Sequence, residues 1–472
     1  MRCTVAVEFD GEPGESPRRV ELLRLHRDDA NPSAGDVGLT LAEAKTTMSA
    51  LQQEFVAEQI GRFCGRRRKC ERCSTTRRLH DGRCSRVATV LGPAYYVRER
   101  WKACVCGADH TRYLSPLKSY VSDTVTPELK WLHAKLGAML PYRQALEVLT
   151  LLLPSSGRDN HVSLRNHTVA VGQATRLASP PKRDGLQQAL LAEMGVDVGY
   201  VRKAKRADDR KPDSGSISIL VAAVGARGAL PRVWASAQPR TAKLPAEMAK
   251  FLGDSGFGEA LHVNVISDAA SDLAALADKL PQNGKWMLDW AHIGRKLWQA
   301  DRLISPLAHG RLTPEGSALE LWDLFVRFRS YVWTGQTEKW QASGQRLYEL
   351  LELRERIDTS GLAQRARQTR YRLSDSLQYL ETNIHSLIDY RRYKQEGRRI
   401  STGYVESTIN RVVGRRMCKG QQMRWSRSGA DSLIQVRVAV QNREFDDVAS
   451  QNFSWSGSRR VSWPWMQPSH PF

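Results

Sequence analysis

A carboxylate stands inside a strongly basic stretch late in the sequence. Between Arg391 and Arg427 there are eleven Lys or Arg residues and two acids, Glu396 and Glu406. Glu406 belongs to the run Gly403-Tyr-Val-Glu406-Ser-Thr. Basic side chains attract phosphate, and a carboxylate among them suits a divalent metal ion that faces nucleic acid. The spacing therefore predicts that Glu406 takes part in phosphodiester chemistry.

Two more acids stand at strand-like positions upstream. Asp197 lies in the apolar run 196–201, and Asp268 directly follows the alternating run 261–267. An unpaired carboxylate inside an apolar strand costs on the order of several kcal/mol, so Asp197 needs a reason to be there. Each acid alone is explained as well by an ordinary strand-end or surface position. Together with Glu406, they could hold paired Mg²⁺ (or Mn²⁺) ions, which prefer oxygen ligands.

The elements around these acids follow a defined order. A period of two residues predicts strands, and a period of 3.6 predicts helices. The resulting order is that of a ribonuclease-H-like core, in which an acid on the first strand and one after the fourth converge on divalent metal. Glu406, at the margin of an apolar helical stripe, could supply the third acid. The predicted elements are strands 196–201, 217–224, 232–236, 261–267 and 286–288, and helices 244–252 and 272–280.

Cysteines cluster in the first quarter of the chain. The pairs Cys70/Cys73 and Cys104/Cys106 have the short spacings of zinc knuckles, and a strand-like segment separates the two pairs. We expect these four thiolates to hold a structural Zn²⁺ in a zinc-ribbon-like region. Ordinary unpaired thiols are the alternative. Other residues that could act as ligands are Cys64, Cys84, His80 and His110.

A helical segment follows the cysteines. Leucines at 129, 132, 136 and 140 have helical spacing, and further helices are predicted at 142–149 and 161–172. These helices are typical of a helix-turn-helix, although any two adjacent amphipathic helices can have this pattern. The residues predicted to contact bases or phosphates are Ser163, Arg165 and Asn166.

Composition narrows the class of protein. The 472 residues carry a formal net charge of +21, with 71 Lys and Arg against 50 Asp and Glu. Such a charge favours binding to nucleic acid through phosphate contacts. No long apolar segment follows the basic start, so neither a secretory signal nor a membrane span is predicted. We expect a soluble, intracellular protein that is free of disulfides.

Several of these residues also resemble a known family, the DDE transposases of bacterial insertion sequences, and in particular the ISKra-type group with its Mutator-like relatives. The chain departs from the usual pattern where Val198 separates the first acid from a glycine and where alanines follow Asp268. The resemblance runs from about residue 70 to residue 445. The matching residues are Asp197, Asp268, Asp289-Trp-Ala-His292, Gly403-Tyr-Val-Glu406-Ser, Arg416-Met-Cys-Lys-Gly and Met423-Arg-Trp-Ser.

The resemblance implies a fold, an activity and partners. The implied fold class is a multidomain α+β and α/β protein: zinc-ribbon-like and helical DNA-binding regions precede a ribonuclease-H-like catalytic core interrupted by an all-helical insertion. Asp197, Asp268 and Glu406 would be the catalytic, Mg²⁺-binding triad. Asp289 and His292 would be further catalytic residues that orient a phosphate or a flanking strand, and a helix-initiating acid beside a structural histidine is the alternative. The implied location is the bacterial cytoplasm, at the nucleoid. The partners would be double-stranded DNA, as terminal inverted repeats and target, and further copies of the chain. The DNA channel would contain Arg415, Arg416, Lys419, Arg424 and Trp425, the last of which could equally be core.

Shifts in pattern along the chain predict the domain boundaries. An N-terminal helical region precedes the zinc-ribbon-like and helix-turn-helix-like regions, and the helical insertion divides the catalytic core before a flexible tail. The predicted boundaries are 1–60, 61–115, 116–185, 190–295 (core, first part), 296–398 (insertion), 399–445 (core, C-terminal helix with basic segment) and 446–472 (tail).

Two other classes of function remain open from the sequence. A sequence-specific DNA-binding regulator, including an inactive or domesticated transposase, would use the ribbon and helices without needing the three acids. A structural RNA-binding protein would explain the charge but not the acids at strand ends or the long helical insertion. Tolerance of alanine at Asp197, Asp268 and Glu406 would favour the regulator.

Overall fold

The chain divides into two compact units, residues 1–178 with 449–472, and residues 179–448. Lys419 and the predicted tail from residue 449 onward lie outside the described residues. In the part of the chain that is described, no helix combines the length and apolarity needed to cross a membrane. The computed structural model describes residues 1–11, 16–28, 34–154, 160–178, 191–204, 215–225, 231–238, 242–257, 262–280, 283–309, 317–357, 361–418 and 423–448.

The first unit begins with a hairpin and not with the predicted helical region. Strands β1 (Arg2–Phe9) and β2 (Arg18–His26) pair antiparallel, and most of their apolar side chains are partly buried. Helix α1 (Leu41–Arg68) follows a 3₁₀ turn, Ala34–Asp36, and continues beyond the predicted end at residue 60. A capping box between Thr40 and Glu43 fixes its start.

A small sheet follows α1. Strands β3 (Leu79–Thr89), β4 (Gly92–Lys102) and β5 (Tyr113–Leu114) form it in that order, antiparallel throughout. Apolar residues of α1 pack against β4 and against Leu117 of the short helix α2 (Leu117–Tyr120). This packing joins the end of α1 to the strands that flank the cysteines.

Three helices complete the described part of the first unit. They are α3 (Pro127–Met139), α4 (Tyr142–Leu152) and α5 (His161–Leu177). Gly137 lets α3 and α5 approach closely, since a Cβ there would lie 2.6 Å from Thr168 Oγ1. The predicted helices are therefore present, and their use as a helix-turn-helix stays a prediction.

The second unit contains a mixed sheet whose strands were predicted from the sequence. Among the described residues the strand order is β10-β9-β6-β7-β8. β6 pairs antiparallel with β7 and parallel with β9, β7 pairs antiparallel with β8, and β9 pairs parallel with β10. The strands are β6 (Leu191–Arg202), β7 (Ser216–Val224), β8 (Arg232–Ser236), β9 (His262–Ser267) and β10 (Gly284–Leu288).

Helices cover both faces of this sheet. On one face, α6 (Leu244–Leu252), a following π-turn (Gly253–Phe257) and α7 (Ser271–Asp278) lie beside a core that includes Met194 and Val196. On the other face lie α13 (Gly403–Ile409) and a π-helical stretch (Asn410–Cys418), described further below.

The predicted insertion is helical and has its own core, which continues onto β10 through Met287 and Leu288. Tyr390 joins it to the sheet, because its hydroxyl donates to the carbonyl of Leu288 at 2.9 Å. The insertion helices are α8 (Trp290–His309), α9 (Ser317–Trp333), α10 (Thr337–Ile357), α11 (Ala363–Thr382), a 3₁₀ turn (Ile384–Ser386) and α12 (Tyr390–Gln395).

Helix α14 (Arg427–Gln441) covers the edge strand β8. The Asn442 amide accepts from the backbone N–H of Val233 and donates to its carbonyl, both at 2.9 Å. Gln435 donates to the carbonyl of Ala235 at 2.9 Å. Side chains thus satisfy edge groups that would otherwise be open to another strand.

We expect Asn442→Ala to destabilise the second unit by about 2–4 kcal/mol, because two buried backbone groups of Val233 lose their partner. Urea denaturation followed by tryptophan fluorescence measures the change. Gln378→Ala, at an exposed position of α11, is the control and should leave the midpoint unchanged. Equal midpoints for both variants would contradict this account of the edge.

Candidate carboxylate and cysteine sites

Three acids align across the parallel strands. Gly195 pairs with Ile266 between β6 and β9, so two further residues on each strand lead to Asp197 and Asp268. Leu288 of β10 pairs with Ser267 of β9, so one further residue on each leads to Asp289 and Asp268. Because neighbouring strands lie about 4.8 Å apart, the backbones of the three acids come to one edge of the sheet.

Glu406 lies on the helix that crosses the same face of β6. A Cβ on Gly195 would lie 2.5 Å from Tyr404 Oη and from Val405 Cγ2, and one on Gly199 would lie 2.9 Å from Ile409 Cγ2. Asp197 stands between these glycines and, by the alternation of a strand, points to the same side. The absence of side chains at both glycines lets α13 pack close to Asp197.

The electrostatics of Asp197 also connect it to the other acids. Burial raises the pKa of Asp197, and the backbone N–H of Val198, at 2.7 Å, opposes that increase. The charges of Asp268 and Glu406 raise the pKa further. A carboxylate that is buried near other negative charges favours binding of a cation, because the cation compensates for the lost hydration and for the repulsion.

Asp289 is fully buried and is held by hydrogen bonds. Its carboxylate accepts from the backbone N–H of Ala291 at 2.7 Å, from the hydroxyl of Thr402, and bonds to His292 Nδ1 at 2.9 Å. Burial raises the pKa of Asp289, but the bonds from His292, Thr402 and Ala291 outweigh it and hold the pKa below its usual value. Asp289 therefore caps α8 and orients His292.

His292 is hydrogen-bonded to Asp289 and also interacts with the charges of Asp197 and Asp268. The hydrogen bond to Asp289 raises the pKa of His292 against the opposing effect of burial, and the charge of Asp268 raises it further. His292 in turn lowers the pKa of Asp197. A protonated imidazole here is suited to contact phosphate oxygen beside the acids.

Arg295 is a site residue that the sequence analysis missed. Its guanidinium lies 3.7 Å from the Glu406 carboxylate, and both side chains are about half exposed. Arg295 follows His292 by three residues on α8, so both project from one side of the helix. That spacing from the Asp-x-x-His element was the available signal.

Asp197, Asp268 and Glu406 could bind one metal ion together or two neighbouring ions, and the two cases require different distances between the carboxylates. Among the described residues, the cysteine group alone has three or more ligand atoms all within 4.8 Å of one another. The three carboxylates do not form such a group. Paired ions lie about 3.5–4 Å apart, so acids that bind different ions of a pair need not meet that limit. The donor set, three carboxylates, has the hard oxygen ligands that Mg²⁺ requires.

The cysteine site is compact. The sulfurs of Cys70 and Cys106 lie 3.6 Å apart and those of Cys73 and Cys104 lie 3.3 Å apart. A tetrahedron with Zn–S bonds of about 2.3 Å has sulfurs roughly 3.8 Å apart, so the group fits such an ion. The four thiols could hold a metal such as zinc. The other predicted ligands, Cys64, Cys84, His80 and His110, are not part of the group.

Neighbouring groups support this cysteine site. Hydrogen bonds with the side chain and backbone of Thr75 lower the pKa of Cys73 to about 6, which favours the thiolate. Asp109 accepts from the backbone N–H of Cys104 at 2.8 Å and pairs with the buried Arg77 at 2.9 Å. The Arg77–Asp109 pair therefore holds the Cys104/Cys106 knuckle against the segment that follows the Cys70/Cys73 knuckle.

We expect Cys104→Ser to lose bound zinc and to destabilise the first unit by several kcal/mol, because metal binding supplies folding free energy in small ribbons. Metal content per chain, by mass spectrometry, and thermal melting measure both effects. Cys84→Ser is the matched control, since Cys84 is an exposed thiol outside the group. Zinc content that is equal in the two variants would refute the assignment.

Among the described residues, the predicted DNA contacts fall into two groups. Arg165, Asn166, Arg415 and Arg424 are exposed. Arg416 and Trp425 are buried, at 3% and 6% exposure, and the Arg416 guanidinium lies 5.6 Å from the Trp425 ring centre. Arg416 and Trp425 therefore lie in the protein interior, which for Trp425 is the alternative that the sequence left open. The backbone of Trp425 also forms a β-bridge with Lys203 at the end of β6.

Comparison with known proteins gives weak matches. No protein-family model and no curated protein matches the chain. Among solved structures, it is similar to the Drosophila P element transposase strand transfer complex, with 11% sequence identity and a TM-score of 0.32, over 67% of this chain and 92% of that chain. A similarity of this strength assigns neither a fold nor a function.

Proposed function

We propose that the protein is a metal-dependent DNA transposase with a ribonuclease-H-like core, which cuts DNA strands at element ends and joins the freed 3′-hydroxyl to target DNA. The strand order supports the fold. Among the described strands, from β8 to β10, the sheet reads third, second, first, fourth, fifth, and the second strand runs opposite to the other four. The activity is inferred mainly from the register of β6 and β9, which brings Asp197 and Asp268 to one edge of the sheet, and from the charges of Asp268 and Glu406, which both act on Asp197.

Each residue of the site has a separate task in this proposal. Asp197 and Asp268 come from adjacent strands and Glu406 from α13, and together they would hold divalent metal. Bound Mg²⁺ would supply activation of the attacking oxygen and stabilisation of the leaving oxygen. Asp289 holds His292 by its hydrogen bond, and His292 and Arg295 orient phosphate. The Arg295 pair with Glu406 keeps that carboxylate close to α8 before DNA arrives.

Double-stranded DNA is the partner that fits the charge. A net charge of +21 gives a polyanion a strong, salt-dependent attraction that does not depend on sequence. Sequence would then be read by the first unit, with Arg165 and Asn166 exposed on α5. Zinc in the cysteine group would be structural, since all four positions of a tetrahedron are taken by thiols. Pairing of two element ends would need more than one copy of the chain.

Cleavage of a labelled duplex that carries the gene's own flanking ends tests the activity. Wild type is compared with Asp268→Asn, in Mg²⁺ and in Mn²⁺, at equal DNA occupancy. We expect metal-dependent strand cleavage by wild type and none by the variant. Binding without cleavage in all conditions would contradict the proposal and would leave a DNA-binding regulator.

A further inference from the structure

The exposed face of α8 continues from the carboxylate site along the helical insertion. His292, Arg295, Trp298 and Arg302 are spaced by three, three and four residues, which puts them on one side of the helix. Trp298 is 55% exposed, and the Arg302 guanidinium lies 4.9 Å from its ring centre. A large aromatic at this exposure between two arginines is not needed for the core.

Helix α11 lies beside α8 and adds to the same surface. Lys296 of α8 bonds to Asp375 at 2.7 Å, whereas Leu303, further along α8, meets earlier residues of α11, so the two helices run antiparallel. Tyr371 of α11 is 70% exposed, and Arg372 lies 5.9 Å from its ring centre. An open depression on this side is lined by Leu303, Gln364, Arg367, Gln368, Tyr371 and Arg372.

The acids of this region are already paired. Asp375 is bonded to Lys296 at 2.7 Å, and Asp301 to Arg329 at 3.3 Å. Among the described residues, neither Arg302 nor Arg372 has an acidic partner, so their positive charge remains available. The α8–α11 surface, defined here as Arg295, Trp298, Arg302, Arg367, Tyr371 and Arg372, is therefore both basic and aromatic.

The far end of α11 connects this surface to the acids. Burial raises the pKa of Tyr379 on α11, and the charges of Asp268 and Asp289 raise it further, so this side chain interacts electrostatically with both acids. The ten residues from His292 to Arg302 span about 15 Å of helix. A stacked DNA strand advances about 3.4 Å per nucleotide and an unstacked one advances further, so the surface could accompany at most about four nucleotides from the site.

We propose that the α8–α11 surface binds an unpaired segment of the DNA strand next to the cleavage site, with bases stacked on Trp298 and Tyr371 and phosphates on the arginines. Exposed aromatics among basic side chains match single strands, whose bases are free to stack, better than duplex, whose bases are enclosed. This inference rests on the proposed function, because it names the part of the DNA that would lie beside the same carboxylate site.

Photocrosslinking locates the segment on the full-length protein. A single-stranded 12-nucleotide deoxythymidine oligomer with one 5-iodouracil is irradiated with the protein, without added Mg²⁺ or Mn²⁺, and adducts are mapped by mass spectrometry. We expect adducts on Trp298 or Tyr371, and few with a duplex of the same length. Adducts confined to other parts of the chain, or equal adducts with duplex, would overturn the inference.

Affinity for the same oligomer gives a second measurement. We expect Trp298→Ala with Tyr371→Ala to weaken binding by about tenfold or more, since two stacked bases are lost, and Trp298→Phe alone to retain most of it. Arg302→Ala tests the phosphate contacts without changing an aromatic. Arg356→Ala, an exposed arginine on α10 paired with Glu352 at 3.1 Å, is the control. Wild-type affinity in both the double variant and Arg302→Ala would contradict the inference.

These results are distinguishable from those that concern the proposed function. Asp268→Asn should retain both the adducts and the oligomer affinity, because neither measurement requires metal. Adducts on Trp298 in a chain that never cleaves DNA would support the surface and reject the transposase. Cleavage by wild type together with unchanged binding in the double variant would support the transposase and reject the surface.

Discussion

Glu406→Gln is expected to abolish metal-dependent cleavage and strand transfer while leaving DNA binding within about twofold of wild type. The substitution keeps the size of the side chain and removes the charge that a divalent ion needs. Loss of metal stabilisation removes several kcal/mol from the transition state, so we expect a fall on the order of a thousandfold or more. Cleavage rates at saturating DNA measure this loss.

Glu396→Gln is the matched control for that change. Glu396 is the other acid of the same basic stretch, and it pairs with Arg392 at 2.7 Å. It should retain the wild-type rate, because an exposed pair of this kind contributes little. Equal losses in both variants would indicate a general effect of charge on DNA binding and would count against Glu406 as a metal ligand.

Gly195→Ala is expected to lower cleavage by about a hundredfold without loss of DNA binding. The added Cβ would lie 2.5 Å from Tyr404 Oη and from Val405 Cγ2, so α13 must move away from β6. Glu406 follows Val405 directly and would move with it. A displacement of about 1 Å at a catalytic group can reduce a rate by about 10²-fold.

The control for this change is Gly294→Ala on α8. A Cβ at Gly294 would lie no closer than 3.9 Å to Trp290 Nε1, so there is room for it. Alanine in a helix interior should slightly stabilise the protein and leave cleavage unchanged. Full activity in Gly195→Ala would mean that close packing of α13 on β6 does not position the acid.

The sequence predicted the strands around the acids because their pattern is local. The buried run at 217–224 and the alternating run at 261–267 appear as β7 and β9, and Asp268 follows β9 as expected. Apolar strands between charged loops leave few alternatives for such segments. The helical character of the insertion was predicted from the same kind of periodicity.

Features that depend on pairing across long distances were not predictable. The spacing of Arg295 from His292 could have marked it as a candidate, but its contact with Glu406 joins positions more than a hundred residues apart and was not predictable. The N-terminal hairpin was missed because the alternation of apolar residues along its two strands is weak. Arg416 looked like a surface cation but is buried with Trp425, since the backbone of that tryptophan extends the β6 end of the sheet.

Counting bound Mn²⁺ tests the carboxylate site most directly. Electron paramagnetic resonance measures free Mn²⁺ in titrations of the full-length, zinc-loaded protein with its flanking DNA, for wild type and for the variant that carries both Asp197→Asn and Asp268→Asn. We predict that wild type binds Mn²⁺ at sites that the double variant lacks, at equal DNA occupancy. The same number of bound ions, with the same affinity, in both proteins would contradict a metal site at these acids.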